Sequence, residues 1–383
     1  MPEKPTVLFY ESNYYRFYGA ARVLVWLMTH LQRIHPVFVA PGDGILPQRA
    51  REAGIETVIL PAPGIWRRME SKKGGMGKVQ KALAAPALAF HIRDLARLAR
   101  ERNAIGIHAN STRAAVLAGP AAKLAGVPMW WHLRRERRMG MNERAAYAFA
   151  EWVICISQAV EAGLGSPPKA VVIHDGLPAD RIDPHASGEA LKARLGWPED
   201  ALVVGAVGSL APNKRHDMFI RTALALADSF PQARFLIAGH RPQGAPASYE
   251  RRLHELAQPL EETGRMVFLG WVENVSEVFA AIDAFVFPSD NEGLGLVAIE
   301  AMQMGVPVVR TDAAGAEDMI RDGETGFIVP VGDQVALTQR VRMLLEDPAL
   351  RERIGRAGQE VARSEFTAQR MAEKTEALML RRK

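Results

Sequence analysis

Short apolar runs recur along the chain, separated by segments whose apolar positions repeat every three or four residues. In the first half the runs are Thr6–Tyr10, Val37–Ala40, Thr57–Leu60, Ile105–Ala109, Met129–His132 and Trp152–Ile156. Continuous apolar runs of this length, bounded by turn residues, predict strands buried on both faces. Between them the 20–32 segment places Val23, Leu24, Leu27 and Leu31 on one side, the pattern of an amphipathic helix. A second series follows residue 170: Ala170–Ile173, Val203–Val207, Arg234–Ala238, Met266–Leu269, Ala284–Phe287, Val306–Arg310 and Phe327–Val329. Strands alternating with helices predict an α/β fold built on parallel, doubly wound sheets. The Asp-, Pro- and Gly-rich stretch 175–188 is the candidate linker between two such domains.

A chain of 383 residues accommodates two ordinary domains, and 48% hydrophobic with 24% charged residues is a globular composition. Its apolar runs are strand-length, too short to span a bilayer. The opening MPEKPTVLFYESN runs directly into a strand without a signal peptide, so the expected compartment is the cytoplasm. The single cysteine, Cys155, sits in an apolar run and is expected in the core. Charge is unevenly placed. Residues 1–175 carry 24 Lys/Arg against 13 Asp/Glu, a net of +11, whereas residues 176–383 carry 24 against 30, a net of −6. A basic half suggests an anionic partner. Two stretches concentrate the charge: 61–81, with Trp66, Arg67, Arg68, Lys72, Lys73, Lys78 and Lys81, and Arg134, Arg135, Arg137 and Arg138 after Trp130-Trp131. Tryptophan among cations suits an anionic membrane surface, while no nucleic-acid motif is present.

The most informative stretch follows the run Ala284–Phe287. A polar loop with Gly293 and Gly295 leads into an amphipathic segment that stops at Gly305 and Pro307. Strand, glycine loop and helix together suit a phosphate, because the first amides of a helix have no intrahelical acceptor. The flanking carboxylates, Glu292 in the loop and Glu300 on the second helical turn, suit hydroxyls, as on a ribose and a second sugar. The residues thus point to a nucleotide-sugar pocket.

The spacing Glu292-x7-Glu300, continued through EAMQMGVPVVRTDAAGAEDMI, resembles the signature of retaining glycosyltransferases of the GT-B family four. The resemblance implies two Rossmann-like domains facing across a cleft, with a C-terminal helix crossing back to the first. Residues 1–174 with helix 366–383 would bind the acceptor, and 175–365 the nucleotide sugar. By the same resemblance Glu300 binds the ribose, and Lys214 with the amides of Leu296 and Val297 holds the diphosphate. Glu292, His132 and the amides of Leu294 and Gly295 hold the sugar. Gly19 is the glycine of the donor loop after the first strand. Gly208-Ser209-Leu210 to Lys214 is similar to the family's Gly-Arg-Leu-x-x-x-Lys motif, with Ser209 where arginine is commonest and Arg215 as the candidate replacement. Val272 faces the nucleobase through its backbone. His132 positions and polarises hydroxyls; no residue is an obvious nucleophile. The implied donor is a UDP-, GDP- or ADP-sugar, without metal or other cofactor. The implied acceptor is a glycan or a lipid-linked hydroxyl, in bacterial cell-surface polysaccharide or lipopolysaccharide synthesis at the inner face of the plasma membrane.

Gly293-x-Gly295-x-x-Ala298, with Asp312 beyond, also satisfies a dinucleotide fingerprint and keeps an NAD-type oxidoreductase as an alternative, although it follows a long polar loop. A GT-B-shaped sugar-nucleotide epimerase is another. Bland readings also stand beside the single residues: Gly19 as a plain helix start, Lys214 as a solvated turn lysine, His132 as a buried structural histidine. The chain contains no Asp-x-Asp, Cys-x-x-Cys, His-Glu-x-x-His, Walker loop or Gly-x-Ser-x-Gly, the parts of metal-dependent transferases, zinc hydrolases, P-loop kinases and serine hydrolases.

Overall fold

A computed structural model describes residues 4–62, 78–136, 138–242 and 244–381. The chain forms two compact units. One holds the residues up to Gly176 together with those from Ala368 on, and the other is Leu177–Thr367. The sequence reading set these junctions at 174 and 366.

The first unit carries a parallel sheet of β1 (Thr6–Tyr10), β2 (His35–Ala40), β3 (Glu56–Ile59), β4 (Gly106–Ala109), β5 (Met129–Leu133), β6 (Ala150–Cys155) and β7 (Ala170–Val172). Their order is β3-β2-β1-β4-β5-β6-β7. The apolar runs form strands because the sheet is covered on both faces: Val7, Leu8, Phe9 and Tyr10 of β1 are all fully buried. Cys155 is buried, and burial pushes its thiol up to about 12, so it packs as a small apolar residue. The helix expected over 20–32 runs Gly19–His30 and packs against the C-terminal helix Ala368–Met379. That helix is shorter than the expected 366–383 and belongs to the first unit. Glu376, almost fully buried on it, accepts hydrogen bonds from the amides of Arg33 (2.5 Å) and Ile34 (3.1 Å).

The second unit carries β8 (Leu202–Val207), β9 (Ala233–Ala238), β10 (Met266–Gly270), β11 (Ala284–Phe287), β12 (Val308–Thr311) and β13 (Phe327–Val329), in the order β10-β9-β8-β11-β12-β13, all parallel. Phe219, Phe235, Leu253, Leu337 and Val341 form part of its core.

The boundary between the units, Gly176/Leu177, falls inside the 175–188 candidate linker, and that stretch is packed down. Asp175, Leu177 and Ile182 are buried, and the Leu177 amide bonds the Phe366 carbonyl at 2.9 Å. Pro and Asp mark its turns, but Leu177 and Ile182 supply enough apolar surface to pack it down. One expectation needs correction: Arg134 is not part of the basic surface read after Trp130-Trp131. Its guanidinium turns inward to Asp175, while Arg135 and Arg138 are exposed. Trp66, Arg67, Arg68, Lys72, Lys73 and Arg137 lie outside the described residues, as do the side chains of Lys78 and Lys81.

Candidate functional site

In the second sheet the strand order reverses at β8, whose neighbours are β9 and β11. The connections after β8 and β11 therefore leave in opposite directions. The space outside their carboxyl ends is where open α/β sheets bind ligands. The two loops that leave there, 208–215 and 288–295, are tied together. The Asp290 amide donates to the Asn213 carbonyl at 2.9 Å, and Arg215 Nη1 donates to Asp290 Oδ1 at 2.8 Å. Lys214 Nζ forms an ion pair with Glu292 Oε1, and the same ammonium stands 5.1 Å from the centroid of the Phe287 ring. The Lys214 and Glu292 side chains are mostly buried, so the attraction between them is screened less than at an open surface.

Helix Leu296–Gln303 starts at Gly295, whose φ of 98° lies in the left-handed region, and no side chain caps the helix. A Cβ at Gly295 would stand 2.9 Å from Phe287 Cε1, so both the turn and the packing demand glycine. The amides of Leu296 and Val297 belong to this uncapped first turn, and Leu294 is buried just before it. Glu300, buried on the next turn, is bound by Arg181, whose Nε and Nη2 both lie 2.7 Å from Oε1. Sequence reasoning missed Arg181 because it falls in the stretch read as a linker. A glutamate on the buried face of a helix was the available signal that a cation must meet it.

Ser209 is half-buried on the loop after β8, and its carbonyl lies 3.2 Å from His216 Nε2. Arg215 does not stand free to replace the missing arginine there: its guanidinium meets Asp290 at 2.8 Å and Asp217 at 3.3 Å. Another cation lies below the loop. Arg310 on β12 is fully buried, and it donates to the carbonyls of Leu294 (2.9 Å), Ala313 (3.1 Å), Ala314 (3.2 Å), Thr311 (3.3 Å) and Gly315 (3.5 Å) and to Met319 Sδ (3.2 Å). Burial pushes it down to about 10, with the charges of Glu292 and Asp318 pulling the other way. Sequence reasoning missed this residue too. Val272 is half-buried after β10, next to Trp271, whose exposed ring meets that of His240 edge-on at 5.1 Å.

The remaining expected residues lie in the first unit. Gly19 opens helix Gly19–His30 and is exposed. His132 is fully buried at the end of β5, and burial holds its ring well below the ordinary imidazole range, so it is neutral. Arg134 Nη2, which can only donate, lies 3.4 Å from His132 Nδ1, and His108 Nε2 lies 3.1 Å from the same nitrogen. Nδ1 is therefore the acceptor and the proton sits on Nε2, 3.8 Å from Asp175 Oδ1. His132 presents a donor, not a base. The same carboxyl edge carries Glu11, bonded by Asn110 Nδ2 and Ser111 Oγ at 3.1 Å each, and Asn110 in turn accepts from Arg134 Nε at 3.1 Å. The switch point of this sheet lies between β1 and β4, where Glu11 and Asn110 emerge.

Among the described residues no cluster of three or more His, Cys, Asp or Glu is placed to hold a metal ion, and no helix is long and apolar enough to cross a membrane.

Residues 187–361 match the family described as glycosyl transferases group 1. The chain is 36% identical over 196 residues to a D-inositol 3-phosphate glycosyltransferase of Streptomyces avermitilis, covering 49% of this chain and 42% of the relative. It is 31% identical over 176 residues to the lipopolysaccharide core biosynthesis glycosyltransferase LpsE of Rhizobium meliloti, covering 46% and 49%. The chain thus spans about half the length of the curated relatives it matches. Among solved structures it resembles HepE of Anabaena in complex with UDP, with a TM-score of 0.82 at 22% identity over 98% of this chain and 99% of that one. The protein therefore has the GT-B fold, and residues 187–361 of its second unit carry the pattern of glycosyl transferases group 1.

Proposed function

We propose that this protein is a glycosyltransferase that moves a sugar from a nucleoside diphosphate to an acceptor hydroxyl, with retention of anomeric configuration and without a metal. The observation that carries the reading is the Lys214–Glu292 pair at the switch point of the second sheet, beside the uncapped helix Leu296–Gln303 and within one element of the buried Glu300. In the reaction the bond from the anomeric carbon to the diphosphate oxygen breaks and a bond to the acceptor oxygen forms on the same face. The acceptor proton passes to the departing phosphate, so the chain needs no side-chain base. Lys214 and the helix amides stabilise the charge that develops on the leaving diphosphate. Glu292 accepts hydrogen bonds from the sugar and Glu300 from the ribose. Acceptor recognition is assigned to the first unit, and the neutral His132, whose proton sits on Nε2, keeps the role of polarising hydroxyls of the donor sugar. The names of the relatives support an acceptor in cell-surface polysaccharide or lipopolysaccharide synthesis, and HepE is known with UDP bound. A lipid-linked acceptor would bring the protein to the inner face of the plasma membrane.

The oxidoreductase alternative is less well supported. Five residues separate the end of β11 from Gly293, where a dinucleotide fingerprint opens directly after its strand.

A thermal-shift screen of UDP-, GDP- and ADP-sugars in excess chelator tests the proposal. A donor at a hundred times its dissociation constant adds about 2.7 kcal/mol. The expected result is stabilisation by one base, turnover in chelator, and a Glu292→Gln variant that loses more turnover than affinity for the bare nucleotide. Activity abolished by chelator and restored by manganese would overturn the metal-free mechanism. Donor consumption without any acceptor would point to the epimerase.

A further inference from the structure

The cation expected at position 209 is absent, and Arg215 is held by two carboxylates, yet a third arginine lies directly under the glycine loop. Arg310 has no exposed surface, and its guanidinium gathers backbone carbonyls from two separate loops. Nη1 holds the Leu294 carbonyl at 2.9 Å, and Nη2 holds those of Ala313 and Ala314 at 3.1 and 3.2 Å. Its charged end also stands 5.4 Å from the centroid of Phe287, the ring that Lys214 approaches at 5.1 Å.

A trans peptide is planar, and its N–H points opposite to its carbonyl. Carbonyls drawn in toward Arg310 therefore send the amides of the same peptide units, those of Gly295, Ala314 and Gly315, the other way. The two loops also touch backbone to backbone. Gly315 has a φ of 79°, and a Cβ there would stand 2.6 Å from Leu294 Cα. Successive amides turned to one side, with a fixed cation behind them, make an anion-binding concavity. Full burial of a guanidinium is costly, and here backbone carbonyls, the Met319 sulfur and the Phe287 ring replace its lost hydration.

We propose that Arg310 is a positioning residue for the donor diphosphate: it pins the 294–295 and 313–315 loops so that the amides of Gly295 (which the resemblance alone gave to the sugar), Ala314 and Gly315 face the phosphates. This rests on the nucleotide-sugar reading above. Arg310 touches no phosphate itself; it acts through the backbone it holds and through its charge, the positive charge that Ser209 does not supply.

The test is calorimetric titration of wild type, Arg310→Lys and Arg310→Met with UDP, GDP and ADP and with the corresponding nucleosides. Arg310→Met should weaken the diphosphate at least tenfold while nucleoside affinity changes less than twofold. Arg310→Lys, which keeps the charge but has fewer donors, should fall between. A merely structural role would weaken both ligands alike or neither, and either result overturns the assignment to Arg310. A wild type that binds none of the three diphosphates overturns the nucleotide-sugar reading and this proposal with it. Should Arg310→Met fail to fold, the wild type decides. With 15N-glycine and 15N-alanine labelling, saturating diphosphate should shift the amide resonances of Gly295, Ala314 and Gly315. Unmoved resonances in the bound protein would refute the proposal.

Discussion

At the scale of single residues, the candidate site is a set of charges already answered by one another. Glu300 is met by Arg181 and Glu292 by Lys214, so a nucleotide that uses these carboxylates must share them with cations. Glu300→Gln should weaken nucleotide binding by about 1.5–3 kcal/mol, the range for hydrogen bonds to a charged group. Arg181→Met leaves the carboxylate in place and should weaken it less. Titration of both variants with the bare nucleoside diphosphate checks the order; equal affinity of wild type and Glu300→Gln removes Glu300 from the ribose. Glu292 and Glu300 were read from the glycine loop between a strand and a helix, and Lys214 from the resemblance; the fold brings Lys214 and Glu292 together. Arg181 and Arg310 were not legible in the sequence. An arginine in Val-Val-Arg-Thr reads as a strand flank, and only the folding of two distant loops over it supplies the carbonyls that allow its burial. Arg134 was hidden differently, as one of a run of arginines whose neighbours do face solvent.

At the scale of elements, the apolar runs located the strands, while strand ends depended on hydrogen bonding that composition does not record. The run starting at Val306 becomes a strand only from Val308, since Pro307 between them has no amide to donate. The run read from Trp152 begins at Ala150, because Ala150 pairs with Met129 and Glu151 is the extra residue of a bulge before Trp152 pairs with Trp130. The C-terminal helix was expected from the family resemblance, but not the residue that fastens it. Glu376 satisfies the amides of Arg33 and Ile34 just after helix Gly19–His30. Glu376→Ala leaves two amides without their acceptor, at about 1–3 kcal/mol each. Urea denaturation should show a lower midpoint for the first unit and unchanged nucleotide affinity in the second. Glu376→Gln, which retains one acceptor oxygen, should lose less. An unaltered midpoint in Glu376→Ala would show that the helix is held by its apolar face alone.

At the scale of the whole molecule, the two units carry different loads of buried imidazole. In the first, burial depresses His108 to about 3 and His132 well below its ordinary value; in the second, it depresses His216 to about 4. A histidine with a lowered folded pKa takes up protons more readily when unfolded. Its effect on stability is nil above about pH 6.5, and stability is lost as pH falls from there toward the folded pKa. Each such group contributes a slope of up to about 1.4 kcal/mol per pH unit in that window. The raised pKa of buried Asp175, driven by desolvation, opposes this only at the acid end. Between pH 6.5 and 4.5 the first unit should therefore lose stability more steeply than the second. Denaturation midpoints of the two transitions across that range measure the difference, and equal slopes would contradict it.

The return of the last helix to the first unit has a consequence for how the protein is made. The second unit is one uninterrupted stretch, Leu177–Thr367, whereas the first is completed only by residues from Ala368 on. A ribosome adding about 5–20 residues per second needs roughly 10–40 s to cross the intervening segment. Throughout that interval the nascent first unit lacks Met371, Ala372, Leu378 and Met379, which are buried in the finished protein, and the amides of Arg33 and Ile34 lack their acceptor. The unit translated first is thus the one finished last, and a gene fragment ending at Gly176 encodes an incomplete domain unless the closing helix is grafted onto it.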